Sequence, residues 1–194
     1  MEGNPVLKKV LNFQSEKDWK AILSLNEDSN NFDALKLLWA WPSESNLVFL
    51  KYILLSHKMA GITSLGCGCG LLEWIIQTYT GLSVIGVEIN EQWWKSKYSI
   101  TPFIPLKYAE KEAFACTSEN YALLFCYFNN GNAFREYVRL YSGRMIIIIG
   151  PSEGAGRHSD PSPFNPDFGC ENWHLGPNQE IKETNDFIAV YFKR

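Results

Sequence analysis

Residues 62 to 76 read Ile-Thr-Ser-Leu-Gly-Cys-Gly-Cys-Gly-Leu-Leu-Glu-Trp-Ile-Ile. Gly66, Gly68 and Gly70 alternate between a short apolar stretch and a helical one. Glycines in such a turn permit backbone angles that other residues avoid. They also remove side chains, so that a ligand can lie against the main chain while the first N–H groups of the following helix face it. Glu88 ends the next apolar stretch, Ser-Val-Ile-Gly-Val-Glu. A carboxylate at that place can accept two hydrogen bonds from the vicinal hydroxyls of a ribose. Loop and acid together point to a nucleotide-like ligand.

Other residues offer chemistry with less support. Cys67 and Cys69 form C-x-C, but two further ligands at recognisable spacing are missing, so they read as small buried side chains in the turn rather than a zinc site. His158 stands beside Arg157 in a loop; its ordinary pKa of about 6.5 suits a general base, and a loop histidine without chemistry is the competing reading. Asn129 and Asn130 are turn formers as readily as site residues. Gly150, Gly154 and Gly156 do not make a phosphate loop, because the lysine of that motif is absent. His57 and His174 read as structural. Of Trp93 and Trp94, one ring could cover a bound base while the other packs the helix.

The elements that must position these residues follow from apolar patterning. Residues 1–60 read as a helical segment packed on a core that spans 61–194, one domain overall. Ser15 is an expected N-cap with Asp18 at the third helical position. A short helix is expected over Asp33 to Trp39, ended by Pro42, and a well-buried one from about Ser45 to Met59. After Gly61 strands and helices alternate. Strands are expected at 62–65, 83–89, 103–108, 121–127 and 144–150, with helices at 71–79, 91–98 and 133–141, the last stopping at Gly143. The run Ile146 to Ile149 marks a strand covered on both faces. Residues 151–166 form a long Gly, Ser and Pro-rich loop. A closing hairpin is expected around 173–181 and 187–192. This alternation implies an α/β fold: a doubly wound, mostly parallel seven-stranded sheet with helices on both faces. Ligands bind such sheets at the carboxyl edge of the strands.

Leu65-Gly66-Cys67-Gly68-Cys69-Gly70 followed by Val84-Ile85-Gly86-Val87-Glu88-Ile89-Asn90 resembles the class I (Rossmann-like) S-adenosylmethionine-dependent methyltransferases. The resemblance covers roughly residues 61 to 150. It implies that Gly66, Cys67, Gly68 and Gly70 contact the methionine part of S-adenosylmethionine and that Glu88 holds the ribose. It further implies that Ile89 packs on adenine, with Glu110 as the nearest match to an acid near that base, and that S-adenosylhomocysteine is the product. Tyr127 follows the fourth strand, where the transferred methyl would sit. It is the candidate catalytic residue on position alone, and an aromatic wall without chemistry is the alternative. The sequence departs from the pattern there: Cys126-Tyr127-Phe128-Asn129-Asn130 lacks the Asp/Asn-Pro-Pro of many amino-methylating members.

That departure keeps a second reading open, a methyltransferase-like domain that binds the cofactor or a protein without catalysis. A nicotinamide-dependent oxidoreductase is disfavoured, since its G-x-G-x-x-G needs glycine or alanine where Leu71 stands. The chain carries 18 Lys and Arg against 21 Asp and Glu, a net charge of −3 and a pI of about 5.7. Without a basic block, a small-molecule or protein acceptor is favoured over nucleic acid. Five cysteines do not make a disulfide scaffold, and no signal peptide or membrane-spanning stretch is visible. A soluble cytoplasmic or nuclear protein is expected, with oligomeric state and acceptor open.

Overall fold

The computed structural model describes residues 4–28, 31–108 and 118–194. The first helix begins earlier than the capping signal at Ser15 suggests. The Asn4 side chain accepts the N–H groups of Val6 and Leu7, and Pro5 opens α1 (Pro5–Ser15), where a missing N–H costs nothing. Ser15 therefore ends a helix rather than capping one. Lys17 adopts φ 57°, which reverses the chain, and Asp18 caps α2 (Trp19–Ser24) by accepting the Ala21 N–H. Helix α3 (Phe32–Leu35) is one turn, shorter than expected. Helix α4 (Glu44–Ser56) starts with a capping box between Ser43 and Asn46.

Alternation follows. Strand β1 (Gly61–Leu65) leads through the glycine loop into α5 (Leu71–Thr80), then β2 (Ser83–Glu88), α6 (Glu91–Trp94) and β3 (Leu106–Tyr108). Strand β3 starts after Pro105, which has no N–H for a ladder. Strand β4 (Tyr121–Cys126) stops one residue before Tyr127, whose φ of 48° leaves the extended region. Helix α7 (Gly131–Leu140) begins at its cap, Asn130, and ends through Tyr141 in an extended conformation rather than at Gly143. The Tyr141 hydroxyl lies 2.6 Å from the Tyr121 carbonyl and 3.0 Å from that of Met145, which fixes the exit. Strands β5 (Met145–Pro151), β6 (Trp173–Ile181) and β7 (Asp186–Lys193) complete the sheet.

The seven strands lie in the order β3-β2-β1-β4-β5-β7-β6. The first five are parallel, and β7 runs antiparallel between β5 and β6. Two apolar clusters show a layer on each face. On one, Ile62, Leu124 and Ile147 meet Val10, Ile22, Leu47 and Leu54 of the first helices and Ile75 and Ile76 of α5. On the other, Leu65, Phe125, Ile146 and Ile148 meet Phe134 and Val138 of α7. Each isoleucine of β5 is at most 2% exposed, and a side chain so buried contributes roughly 1.5–3 kcal/mol. The loops after β1, β4 and β5 all leave the same edge of the sheet, as its parallel register requires. None of the described helices is long and apolar enough to cross a membrane.

Candidate functional site

The glycine loop is held by strand β2. The Gly66 N–H donates to the Val87 carbonyl at 2.9 Å, and the Gly68 N–H donates to Glu88 Oε1 at 2.7 Å. Gly68 sits at φ +61°, and a Cβ built on it would meet nothing within 4 Å. Its glycine is required by backbone angle, and the space beside it is open for a ligand. Gly70 sits at φ +76°, and there a Cβ would fall 2.6 Å from Ile104 Cγ1, so the close approach of a neighbouring loop demands glycine. Among the described residues, Glu88 Oε2 takes only a long bond from the Ile89 N–H, 3.3 Å. A carboxylate offers about four lone-pair sites, so Glu88 keeps capacity for two hydroxyls while it braces the loop. Ile89 follows at 76% exposed, an apolar side chain standing beside the acid.

A cavity of about 240 Å³ opens behind the loop, walled among others by Leu38, Trp39, Gly68, Glu73, Cys126 and Tyr127. Glu73 lies in the first turn of α5, yet it is 1% exposed. Ser64 of β1 donates to its Oε1 at 2.6 Å, and its Oε2 has no partner among the described residues. Burial pushes this carboxyl from 4.5 up to about 7, against the pull of the Ser64 bond. The same burial raises the thiol of Cys69 to about 12 and pushes Cys67 and Cys126 up as well. Burial thus favours the protonated thiol, the weakly nucleophilic form.

Tyr127 lines the cavity with a left-handed backbone, and its N–H donates to the Ile149 carbonyl at 2.8 Å. Its ring stacks on Trp39 at 5.6 Å between centroids. Its hydroxyl points away into a second network, donating to Asp186 Oδ1 at 2.6 Å. Asp186, at the start of β7, is 2% exposed and also accepts from Arg157 at 3.1 Å and from Thr184 at 3.3 Å. Burial, then the acidic acceptor, pushes the Tyr127 phenol well above its ordinary range. It is a neutral donor at working pH, and proton abstraction by a phenolate has no support here.

Of the residues singled out in the sequence, Gly66, Cys67, Gly68 and Tyr127 line this cavity; Gly70 ends the loop, Glu88 braces it from β2, and Ile89 follows on the surface, none of the three in the lining. Glu110 lies outside the described residues. His158 is exposed and does not line this cavity; it borders a separate polar pocket with Arg157 and Ser159. Trp93 is 48% exposed on α6, while Trp94 packs against the core. His57 accepts no ligand-like role: its ring stacks on Phe192 and lies 3.0 Å from the Ile53 carbonyl. Asn130 caps α7 by accepting the Ala133 N–H. Reading the sequence misses Glu73, Ser64, Trp39 and Asp186. Glu73 carried a signal, a single acid inside the apolar run Leu71 to Ile76. Asp186 carried none, since its partner Tyr127 lies far back in the chain, just past β4.

Neither a protein-family model nor a curated protein matches the chain by sequence. Solved structures do match by shape. A mutant of MtNAS superposes with a TM-score of 0.58 at 12% identity, covering 97% of this chain and 74% of that one. A structure of such a mutant in complex with S-adenosylmethionine gives 0.51 at 13%, covering 96% and 75%. The 16S rRNA methylase RmtB gives 0.51 at 14%, covering 97% and 74%. With the strand order above, these likenesses establish the fold: the chain has the class I, Rossmann-like methyltransferase architecture.

Proposed function

We propose that the chain is an S-adenosylmethionine-dependent methyltransferase whose acceptor is a small molecule or a protein. The observation that carries this reading is the pairing of Gly68 with Glu88 beside open space. A ligand lying there meets bare main chain and a carboxylate with free lone pairs. In the proposed arrangement, Gly66, Cys67, Gly68 and Gly70 bound the methionine end, Glu88 accepts the ribose hydroxyls, and Ile89 supports the adenine. When bound, the cofactor's sulfonium makes its methyl group electrophilic. The residues of this chain then need only hold an acceptor in line and exclude water. The Trp39 and Tyr127 rings form that wall; Tyr127 is placed to border the methyl group, with its hydroxyl committed to Asp186. The net charge of −3 supports an acceptor other than nucleic acid.

Titration calorimetry with S-adenosylhomocysteine, followed by transfer of labelled methyl from S-adenosylmethionine to cell extract, tests the reading. Binding followed by labelling of an acceptor supports it. Absence of binding would sink the cofactor assignment. Binding without transfer would favour a second reading, a cofactor-binding module without catalysis. Two observations speak for that reading: Tyr127 spends its hydroxyl on Asp186, and no Asp/Asn-Pro-Pro follows β4.

A further inference from the structure

The wall of the cavity is chemically one-sided. Glu73 lies in it, with thiols of Cys67, Cys69 and Cys126 around it and the Trp39–Tyr127 stack at one side. No Lys, Arg or His lines it among the described residues. The groups that face Glu73 are the Ser64 hydroxyl from β1, the thiols of the loop and of β4, and more distantly the acid Glu88 from β2. All are neutral or acidic. Ser64 satisfies one carboxyl oxygen, and the other is buried without a partner among the described residues. Burying a carboxyl this way is costly unless a donor or a cation completes it. Aromatic faces beside a carboxylate are a setting that favours organic cations.

We propose that Glu73, through its free Oε2, receives an ammonium group of the molecule bound in this cavity. The inference rests on the cofactor reading above. The ammonium has two possible sources of one chemistry: the amino group at the amino-acid end of the cofactor, or an aliphatic amine acceptor. Either cation stabilises the ionised carboxylate, so binding expels the proton that burial retains on Glu73 up to about pH 7. Affinity for the cation accordingly rises with pH through that range.

Calorimetric titration of the full chain and of Glu73→Gln with S-adenosylhomocysteine and with 5′-methylthioadenosine, which lacks the amino-acid end, tests the proposal. Glutamine keeps the bond from Ser64 and loses only the charge. Weakening of S-adenosylhomocysteine by tenfold or more, with 5′-methylthioadenosine unchanged, assigns the cofactor's own amino group. Nucleosides unaffected by the substitution, together with propylamine binding at least tenfold better to the wild type in the presence of 5′-methylthioadenosine, assigns the acceptor side. Equal binding of all three probes to both proteins overturns the role of Glu73 and leaves the cofactor reading standing. Failure of the wild type to bind either nucleoside overturns the cofactor reading, and this inference with it. Should the variant fail to fold, the wild type decides alone. Titrations at pH 7 in buffers of different ionisation enthalpy should show up to about half a proton released with one of the two amines, and no release with either overturns the proposal.

Discussion

Burial raises the Glu73 carboxyl to about 7 from an ordinary 4.5, so across that interval the folded chain holds a proton that the unfolded chain has lost. Stability contributed by a raised group is present below the unfolded pKa and disappears as pH climbs through the folded one. Glu73 should therefore cost the fold about 3 kcal/mol at pH 8 relative to pH 4. Denaturant melts of wild type and Glu73→Gln across pH 4 to 8 check the sign: the variant should gain on the wild type as pH rises, and parallel curves would refute it. Glu88 stands in a different setting, half-buried at the end of β2 with its Oε1 on the Gly68 N–H. Glu88→Ala should weaken S-adenosylhomocysteine roughly 10 to 100-fold, the worth of hydrogen bonds to a charged group, by calorimetry. Tyr127→Phe keeps the stack on Trp39 but leaves buried Asp186 one donor short. It should lose about 1–3 kcal/mol in a denaturant melt and leave nucleoside binding within twofold. Of these residues, the place of Glu88 against the glycine loop was legible, because a short spacing ties the end of β2 to that loop. Glu73 was legible only as a lone acid in an apolar run; its partner Ser64 was not, because that contact joins a helix to a strand across the fold.

The elements themselves were legible where one signal dominated. Glycines bracket α5, and four isoleucines declare β5, so both emerged within a residue or two of their bounds. Errors fell where two signals competed within a few residues. Ser15 and Asp18 are both good caps, and the left-handed backbone at Lys17 decided between them. Strand β4 lost Tyr127 because that residue turns left-handed, at φ 48°, even though its N–H still bonds the Ile149 carbonyl of β5. Asn46 shows how an element end can also be a tether. Fully buried in the first turn of α4, it accepts from the Ser43 N–H at 2.9 Å and donates to Gln179 Oε1 and the Glu180 carbonyl, both at 3.0 Å, across on β6. Asn46→Ala strands a backbone donor and a backbone acceptor together. A loss of about 2–3 kcal/mol in a denaturant melt is expected, and a change under 0.5 kcal/mol would show that α4 and β6 are held by apolar packing alone.

At the scale of the whole molecule, a ligand bound only by the folded state raises the melting temperature by mass action. S-adenosylhomocysteine at a hundred times its Kd adds about 2.7 kcal/mol, which for a chain of this size is a shift of roughly 5–10 °C. NAD should give none, because Leu71 blocks the dinucleotide fingerprint; an NAD shift would reopen the oxidoreductase reading. The overall architecture was legible in the alternation of strands and helices, while the strand order was not, since which edge a strand joins depends on contacts distant in the chain. That order carries a consequence for how the molecule is made. Strand β5 is finished at Pro151, yet its neighbour β7 begins only at Asp186. Between those points a ribosome adds the whole long loop and β6. Until β7 docks, Ile146 to Ile149 form an open, uncharged edge, the kind of surface that recruits another copy of itself. Folding of this protein is thus a race between docking of β7 and self-association, and refolding from denaturant at rising protein concentration should send chains into aggregates unless a chaperone holds that edge.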